Sequence, residues 1–496
     1  MLLVASVFAA RAGDPKYFEI RVVDGQTGRG VPLVELLTVN HLRFVTDSAG
    51  RVAFFEPGMM NRDVYFYISS HGYEFPSDGF GYTGTRLKPV GGGTASVKLK
   101  RLNIAERLYR ITGECIYNDT ILLGDKVQVA NPLLNAEVLG QDSVQAAVYR
   151  NRIHWFWGDT MRLRYALGHF RTAGATSELP AGGGLDPRIG VDLKYFTNAD
   201  GFSRPMCAFD PENPEPVWID GVCVVPDEKG VEKLVSHFAR MKSLGEKEEH
   251  GLIVFDDAKE EFERVATFDL KNRWRCPRGH AVRHGDFIYF GEPFLNVRVK
   301  ASLAALRDPA SYEMWSCVAD GSPLHEASID RDANGNPRWR WSASAEAIGP
   351  EDERTLMKSA NVKWGAAFFQ PTDVDTKKPV HLHAGNVTWN EFRKRWVMIA
   401  VEQGGTSFLG EVFYLEADDP AGPWLRAKKI VTHNRHSFYN PCHHAFFDQD
   451  GGRVIYFEGT YSRTFSGNSD ATPRYDYNQI MYRLDLADPR LDAVRK

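Results

Sequence analysis

Apolar and polar positions alternate strongly through the first hundred residues. The segments YFEIRVVD, GVPLVELLTV, HLRFVTDSAGRVAFFEP, RDVYFYISSHGYEF and TASVKLKRL have the period of half-buried strands. Asp-Gly, Ser-Ala-Gly and Pro-Gly turns punctuate them, so residues 16–102 are expected to form a small β-sandwich. Residues 103–131 read as a connector, and its run from Cys115 to Leu123 is expected to pair with the last strand and close a ring. From 132 to 487 one grammar recurs: a strand, a short polar turn, then an aromatic-rich strand. It is seen in AAVYRNRIHWFWGD, AVRHGDFIYFGEP, NVTWNEFRKRWVMIA and AFFDQDGGRVIYFEGTY. Irregular repeats of about 40–70 residues, each a small antiparallel sheet, predict a β-propeller of five blades. The stretches 171–216 and 320–358 look like insertions over the ring face. The predicted class is therefore all-β, an N-terminal sandwich followed by a five-bladed propeller.

The stretch Glu137 to Thr160 concentrates the candidate chemistry. Two strand-like runs, AAVY and IHWFW, meet at Arg150-Asn151, which reads as a tight hairpin turn. Asp142 precedes the first run and Asp159 follows the second, so the hairpin is expected to bring the two carboxyl groups together. Two acids at one sheet end are the minimum apparatus of glycoside hydrolysis. The spacing also admits a structural reading, in which both Asp cap loops.

Composition narrows the partners. Lys and Arg number 60 against 64 Asp and Glu, so nothing recommends nucleic acid or an anionic membrane. The first dozen residues, MLLVASVFAARA, end in an A-x-A-like pattern and read as a signal-peptide remnant over 1–12, with a periplasmic or secreted destination. No run is long enough for a transmembrane helix. The six cysteines are scattered without a C-x-x-C pair, which argues against a structural zinc and dictates no disulfide.

Other candidates are residues that blade geometry would bring to one mouth. Arg278 and His280 precede the AVRHGDFIYF hairpin, where Arg278 suits hydroxyls or a carboxylate and His280 a proton or a positioning role. His383 and Asn386 hold the corresponding place in the next repeat. His381 and His383 alternate, the one spacing that suits a structural metal ion; no cofactor motif is present. Tyr439 and Asn440 suit sugar stacking and hydroxyl recognition. Glu458 falls where Asp159 falls in its own repeat, and Glu411 is a further acid. His237 and Arg240 lie on a strand that can face the axis. The G-x-S-x-G, Walker, Rossmann and H-E-x-x-H patterns are absent. A polysaccharide lyase using Arg278, His280 and Tyr439 remains open, as does a carbohydrate-binding propeller without catalysis.

Two resemblances add to this. VTDSAGRVAF resembles the T-D-x-x-G-x-x-x-F hairpin of transthyretin-like and carboxypeptidase-regulatory-like modules, which implies a spacer or docking role for the first domain. Gly140-Gln141-Asp142, the hairpin and Gly158-Asp159-Thr160 resemble a bacterial family of five-bladed propellers, long a domain of unknown function, that includes endo-D-arabinanases. EVFYLEADDPAGPW and NVTWNEFRKRWVMIA are similar to blade signatures of arabinanase-like and xylosidase-like propellers. The resemblance implies a retaining glycosidase acting on an oligo- or polysaccharide, with Asp142 and Asp159 as nucleophile and acid/base in either order.

Overall fold

The computed structural model describes residues 16–210, 212–213, 215–324, 328–359 and 367–495. The signal remnant expected over 1–12 lies outside them. Nearly all regular structure is β-strand, and among the described residues no helix is long and apolar enough to cross a membrane. The chain divides into two compact units. The first runs to Leu102 and includes Tyr117–Val127, and the second comprises Asn103–Ile116 and everything from Gln128.

The first unit holds two four-stranded sheets. One orders Arg51–Phe54, Phe18–Asp24, Thr94–Arg101 and Tyr73–Glu74; the other orders Arg43–Val45, Glu35–Thr38, Val64–Ser69 and Gly84–Leu87. The alternation has a direct consequence: Ile20, Val22, Phe54 and Val97 of one sheet share a core with Leu36, Phe66 and Ile68 of the other. Asp47, in the T-D-x-x-G turn, accepts backbone hydrogen bonds from Ala49 and Arg51. Its second oxygen accepts from the Thr120 backbone and hydroxyl, both at 2.7 Å. Those bonds hold a short helix, Asn118–Leu122. The Cys115 to Leu123 run is therefore not the ring-closing strand.

The second unit contains five sheets led in turn by Gln145–Tyr149, Val217–Pro226, His280–His284, Leu382–Asn390 and Ser437–His443, antiparallel except where Thr372–Asp373 pairs parallel with Arg426–Val431 in the fourth. Each leading strand lies against the next. Behind the leaders run apolar strands, such as Val454–Ser462, buried at all nine positions. The fifth sheet is completed by Glu106–Arg110, which pairs antiparallel with Asn478–Asp485 in the register Ile480↔Arg110 and Met481↔Tyr109. The strand that pairs with Asn478–Asp485 thus lies slightly upstream of the expected run.

The stretches expected as insertions carry strands of their own, Ala173–Glu178 and Lys194–Tyr195 in the first sheet and Arg340–Ser342 in the third. AGATSE lacks the bulky residues that signal a strand, yet five of its six positions are buried. Small side chains fit there because neighbours press close: a Cβ on Gly174 would stand 2.8 Å from the Met206 side chain. Arg150 and Asn151, at φ 50° and 61°, form the tight turn read from the sequence.

Candidate active site

The hairpin sits at a fork between two sheets. Gln141 pairs with Thr160 in a short three-stranded sheet, while Gln145 pairs with Phe156 in the first of the five. Asp142 and Asp159 are the residues just inside the fork. The Asp142 carbonyl accepts the Gly158 N–H at 2.8 Å, and Oδ1 of Asp142 accepts the Asp159 N–H at 3.1 Å. The closeness forces a glycine between them, because a Cβ on Gly158 would lie 2.4 Å from that Oδ1.

Asp142 is gripped from the fifth sheet as well. Tyr439 donates its hydroxyl to Oδ2 at 3.1 Å, and the Tyr477 hydroxyl also bonds this carboxylate. Asn440 donates to the Ser143 hydroxyl at 2.8 Å. Ser143, Asn440 and Tyr477 all have positive φ, at 55°, 49° and 60°. Three non-glycine residues in that costly region around one carboxyl group mark a site where the surroundings over-determine the backbone. Burial pushes Asp142 up to about 7, with the Asp159 charge adding to the rise and the tyrosines opposing it. Asp159 is also raised by burial, and the Trp218 indole N–H, 3.0 Å from its Oδ1, pulls it back.

Both acids line a cavity of about 610 Å3 whose walls come from all five sheets, within the range of small-ligand sites. Of the sequence candidates, Arg278, His280, His383, Tyr439 and Asn440 also line it. So do residues the sequence reading did not single out: Trp218, Asp220, Lys247, Glu292, Tyr477 and Phe465. Arg278 binds Glu292 through both ends of its fork, at 3.2 and 3.3 Å. Asp220 accepts the Gly279 N–H at 2.8 Å. Burial raises Asp220 and Glu292, and Arg278 lowers both.

Glu292 in Phe-Gly-Glu-Pro occupies in the third sheet the strand-end position that Asp159 occupies in the first. The same aromatic-run-then-acid signal also stands at Glu458, inside a strand. Asp220 lies in the leading strand of the second sheet, where an acid in Ile-Asp-Gly was likewise available.

The remaining candidates turn away from the cavity. Glu458 is inside a central strand, fully buried, with Oε1 2.7 Å from His444 Nε2. Glu411 is buried against Thr406, the Thr432 hydroxyl at 2.7 Å and Lys429 at 2.8 Å, so it holds strands together. Asn386 clamps two leading strands, donating to the His443 carbonyl at 2.8 Å and accepting its N–H at 2.7 Å. His237 is buried against the Tyr312 hydroxyl at 2.7 Å. Arg240 pairs with Asp210 and Glu249. Each satisfies buried neighbours, which is the commoner fate of polar groups on strands packed on both faces. His381 lies 3.4 Å from an Arg354 nitrogen while His383 faces the cavity, so the two do not converge. Among the described residues no three His, Cys, Asp or Glu side chains gather to hold a metal ion.

No family model and no curated protein matches this chain. Solved structures to which it is similar include a thermostable family-43 glycoside hydrolase, at 11% identity and TM-score 0.33, covering 71% of this chain and 91% of that one. Another is an exo-beta-1,3-galactanase from Phanerochaete chrysosporium, at 12% and 0.37, covering 77% and 65%. A third is an alpha-L-arabinanase from Penicillium chrysogenum, at 9% and 0.35, covering 78% and 98%. Likeness at this level bears on neither the reaction nor the residues that perform it.

Proposed function

We propose that the second unit is a five-bladed β-propeller, the first a β-sandwich, and that the propeller is a glycoside hydrolase acting on an oligo- or polysaccharide. One observation supports the reading above others: Asp142, an acid held at about 7, stands next to a second carboxyl group in a cavity of ligand size. A group that gives and takes a proton near neutrality suits protonation of a departing glycosidic oxygen. Asp142 is the acid/base. Asp159, whose anion the Trp218 N–H supports, attacks the anomeric carbon, giving retention through a covalent intermediate. An arabinanase-like furanoside is the substrate class we favour.

The lyase alternative is weaker on two counts. The Arg278 guanidinium is already matched by Glu292, so it is not free to neutralise a uronate. Burial and the Asp142 charge push Tyr439 well above its usual value, the opposite of what a tyrosine base needs.

The test is incubation with a panel of plant, algal and bacterial glycans, read by reducing-end release. Asp142→Asn and Asp159→Asn should each abolish release while the protein stays folded. Binding of a glycan without release by the wild type would instead indicate a binding module. An unsaturated, ultraviolet-absorbing product would indicate a lyase.

A further inference from the structure

The peptide groups on either side of Asp142 are held by one pair of buried side chains. The Gln141 carbonyl accepts a hydrogen bond from Nε2 of Gln479 at 3.0 Å. The Ser143 N–H donates to the Thr460 hydroxyl oxygen at 3.1 Å. Gln479 and Thr460 face each other across the fifth sheet, and Nε2 of Gln479 donates to Oγ1 of Thr460 at 2.9 Å. Both residues are fully buried, and neither lines the cavity. Gln479 is fixed in turn: its N–H donates to the Thr112 hydroxyl at 3.1 Å, and its carbonyl accepts the Ile111 N–H at 2.8 Å.

The direction of both bonds is fixed, because a backbone carbonyl only accepts and a backbone N–H only donates. The nitrogen of the Gln479 amide must therefore face the Gln141 carbonyl; reversed, two oxygens would stand 3.0 Å apart. The Thr460 oxygen must receive the Ser143 N–H. No ionisable group enters either bond. Oε1 of Gln479 is left buried without a partner, a cost that goes with turning the amide this way.

A residue has two soft backbone dihedrals, set by the rigid peptide planes before and after its Cα. The Gln141 carbonyl belongs to the plane before Asp142, and the Ser143 N–H to the plane after it. Holding both planes sets the direction in which the Asp142 side chain leaves the backbone. We propose that Gln479 and Thr460 are positioning residues that aim the Asp142 carboxyl group at Tyr439, Tyr477 and the Asp159 N–H, acting through the main chain alone. What this does to turnover rests on the glycosidase reading; the aim of the carboxyl group does not.

The experiment titrates Asp142 by carboxyl carbon-13 NMR on the full chain with labelled aspartate, the signal being assigned by its loss in Asp142→Asn. It also measures kcat and KM on a glycan that the wild type cleaves. Gln479→Met and Thr460→Val keep the bulk and remove the hydrogen bonds. Each should move the Asp142 midpoint from its wild-type value. Each should also lower kcat about 10-fold or more with KM nearly unchanged, as displacing a reacting group does. Thr460→Ser, which keeps the hydroxyl, should retain the wild-type midpoint and kcat. Ile480→Val, an equally buried change whose side chain takes the opposite face of the strand, should leave the midpoint in place. An unmoved midpoint in either Gln479→Met or Thr460→Val overturns the proposal, and so does an equal movement in Ile480→Val. A chain that cleaves no glycan yet shows the expected midpoints would sink the hydrolase reading and leave the positioning role standing.

Discussion

The backbone N–H of Asp159 donates to the side chain of Asp142 across 3.1 Å, so one acid's main chain orients the other acid's carboxyl group. Movement of either residue disturbs both. The short loop through Gly158 therefore acts as a single piece.

That coupling makes Gly158→Ala informative. The added methyl would stand 2.4 Å from Oδ1 of Asp142 and must displace the carboxylate or the loop. Turnover should fall by about 100-fold or more, since small misplacements of a reacting group cost that much. The melting temperature should change little. Turnover within a few-fold of wild type would mean that the position of Asp142 is not critical.

Asp142 should also set a pH limb. Its folded value, about 7, lies above the ordinary 3.8 of an aspartate, so between those values the folded chain holds a proton that the unfolded chain has released. Its contribution to stability therefore falls as pH rises from about 4 to about 7 and stays unfavourable above that. Asp142→Asn should stabilise the protein at pH 8 by roughly 1–3 kcal/mol, a figure discounted for partial exposure, and do so far less at pH 4. Thermal unfolding at both pH values measures this. For the enzyme, kcat/KM should drop as pH rises through about 7; a rise there would make Asp142 the base rather than the acid.

Trp218→Phe removes the indole N–H that supports the Asp159 anion and keeps an aromatic wall. Without that donor the Asp159 carboxyl should become harder to ionise, moving the acidic limb of the activity profile upward. An unmoved limb would show that Asp159 does not titrate in the rate-determining step.

Phe465 is half exposed, lines the cavity and packs edge-on to Tyr439 at 5.7 Å. A sugar ring can stack on such a face. Phe465→Ala should raise KM for an oligosaccharide about 5- to 20-fold, matching the loss of roughly 1–2 kcal/mol of ring contact, with kcat nearly unchanged. Unaltered KM would place the substrate elsewhere.

Much of this site was readable from pattern. The hairpin with an acid at each outer end, and the polar residues ahead of the leading strands, placed Asp142, Asp159, Arg278, His280, His383, Tyr439 and Asn440 around one cavity. What failed was telling a strand end from a strand middle. Glu458 and Asp159 follow similar aromatic runs, but Glu458 pairs in register with Met481 and is enclosed on both faces, whereas Asp159 stands where its strand leaves the sheet. Register comes from long-range pairing, and local sequence does not record it. Tyr477 escaped for a different reason. Its role depends on a positive-φ backbone just before a strand from the far end of the chain, and no local motif announces that.

Glu106–Arg110 finds its sheet partner far downstream, in Asn478–Asp485, and the two tyrosines that hold Asp142 are also encoded long after it, at positions 439 and 477. A nascent polypeptide emerging from the ribosome thus carries both acids well before the clamp that orients Asp142 has been made. A copy cut short before Tyr439 would carry both acids without either tyrosine that holds Asp142.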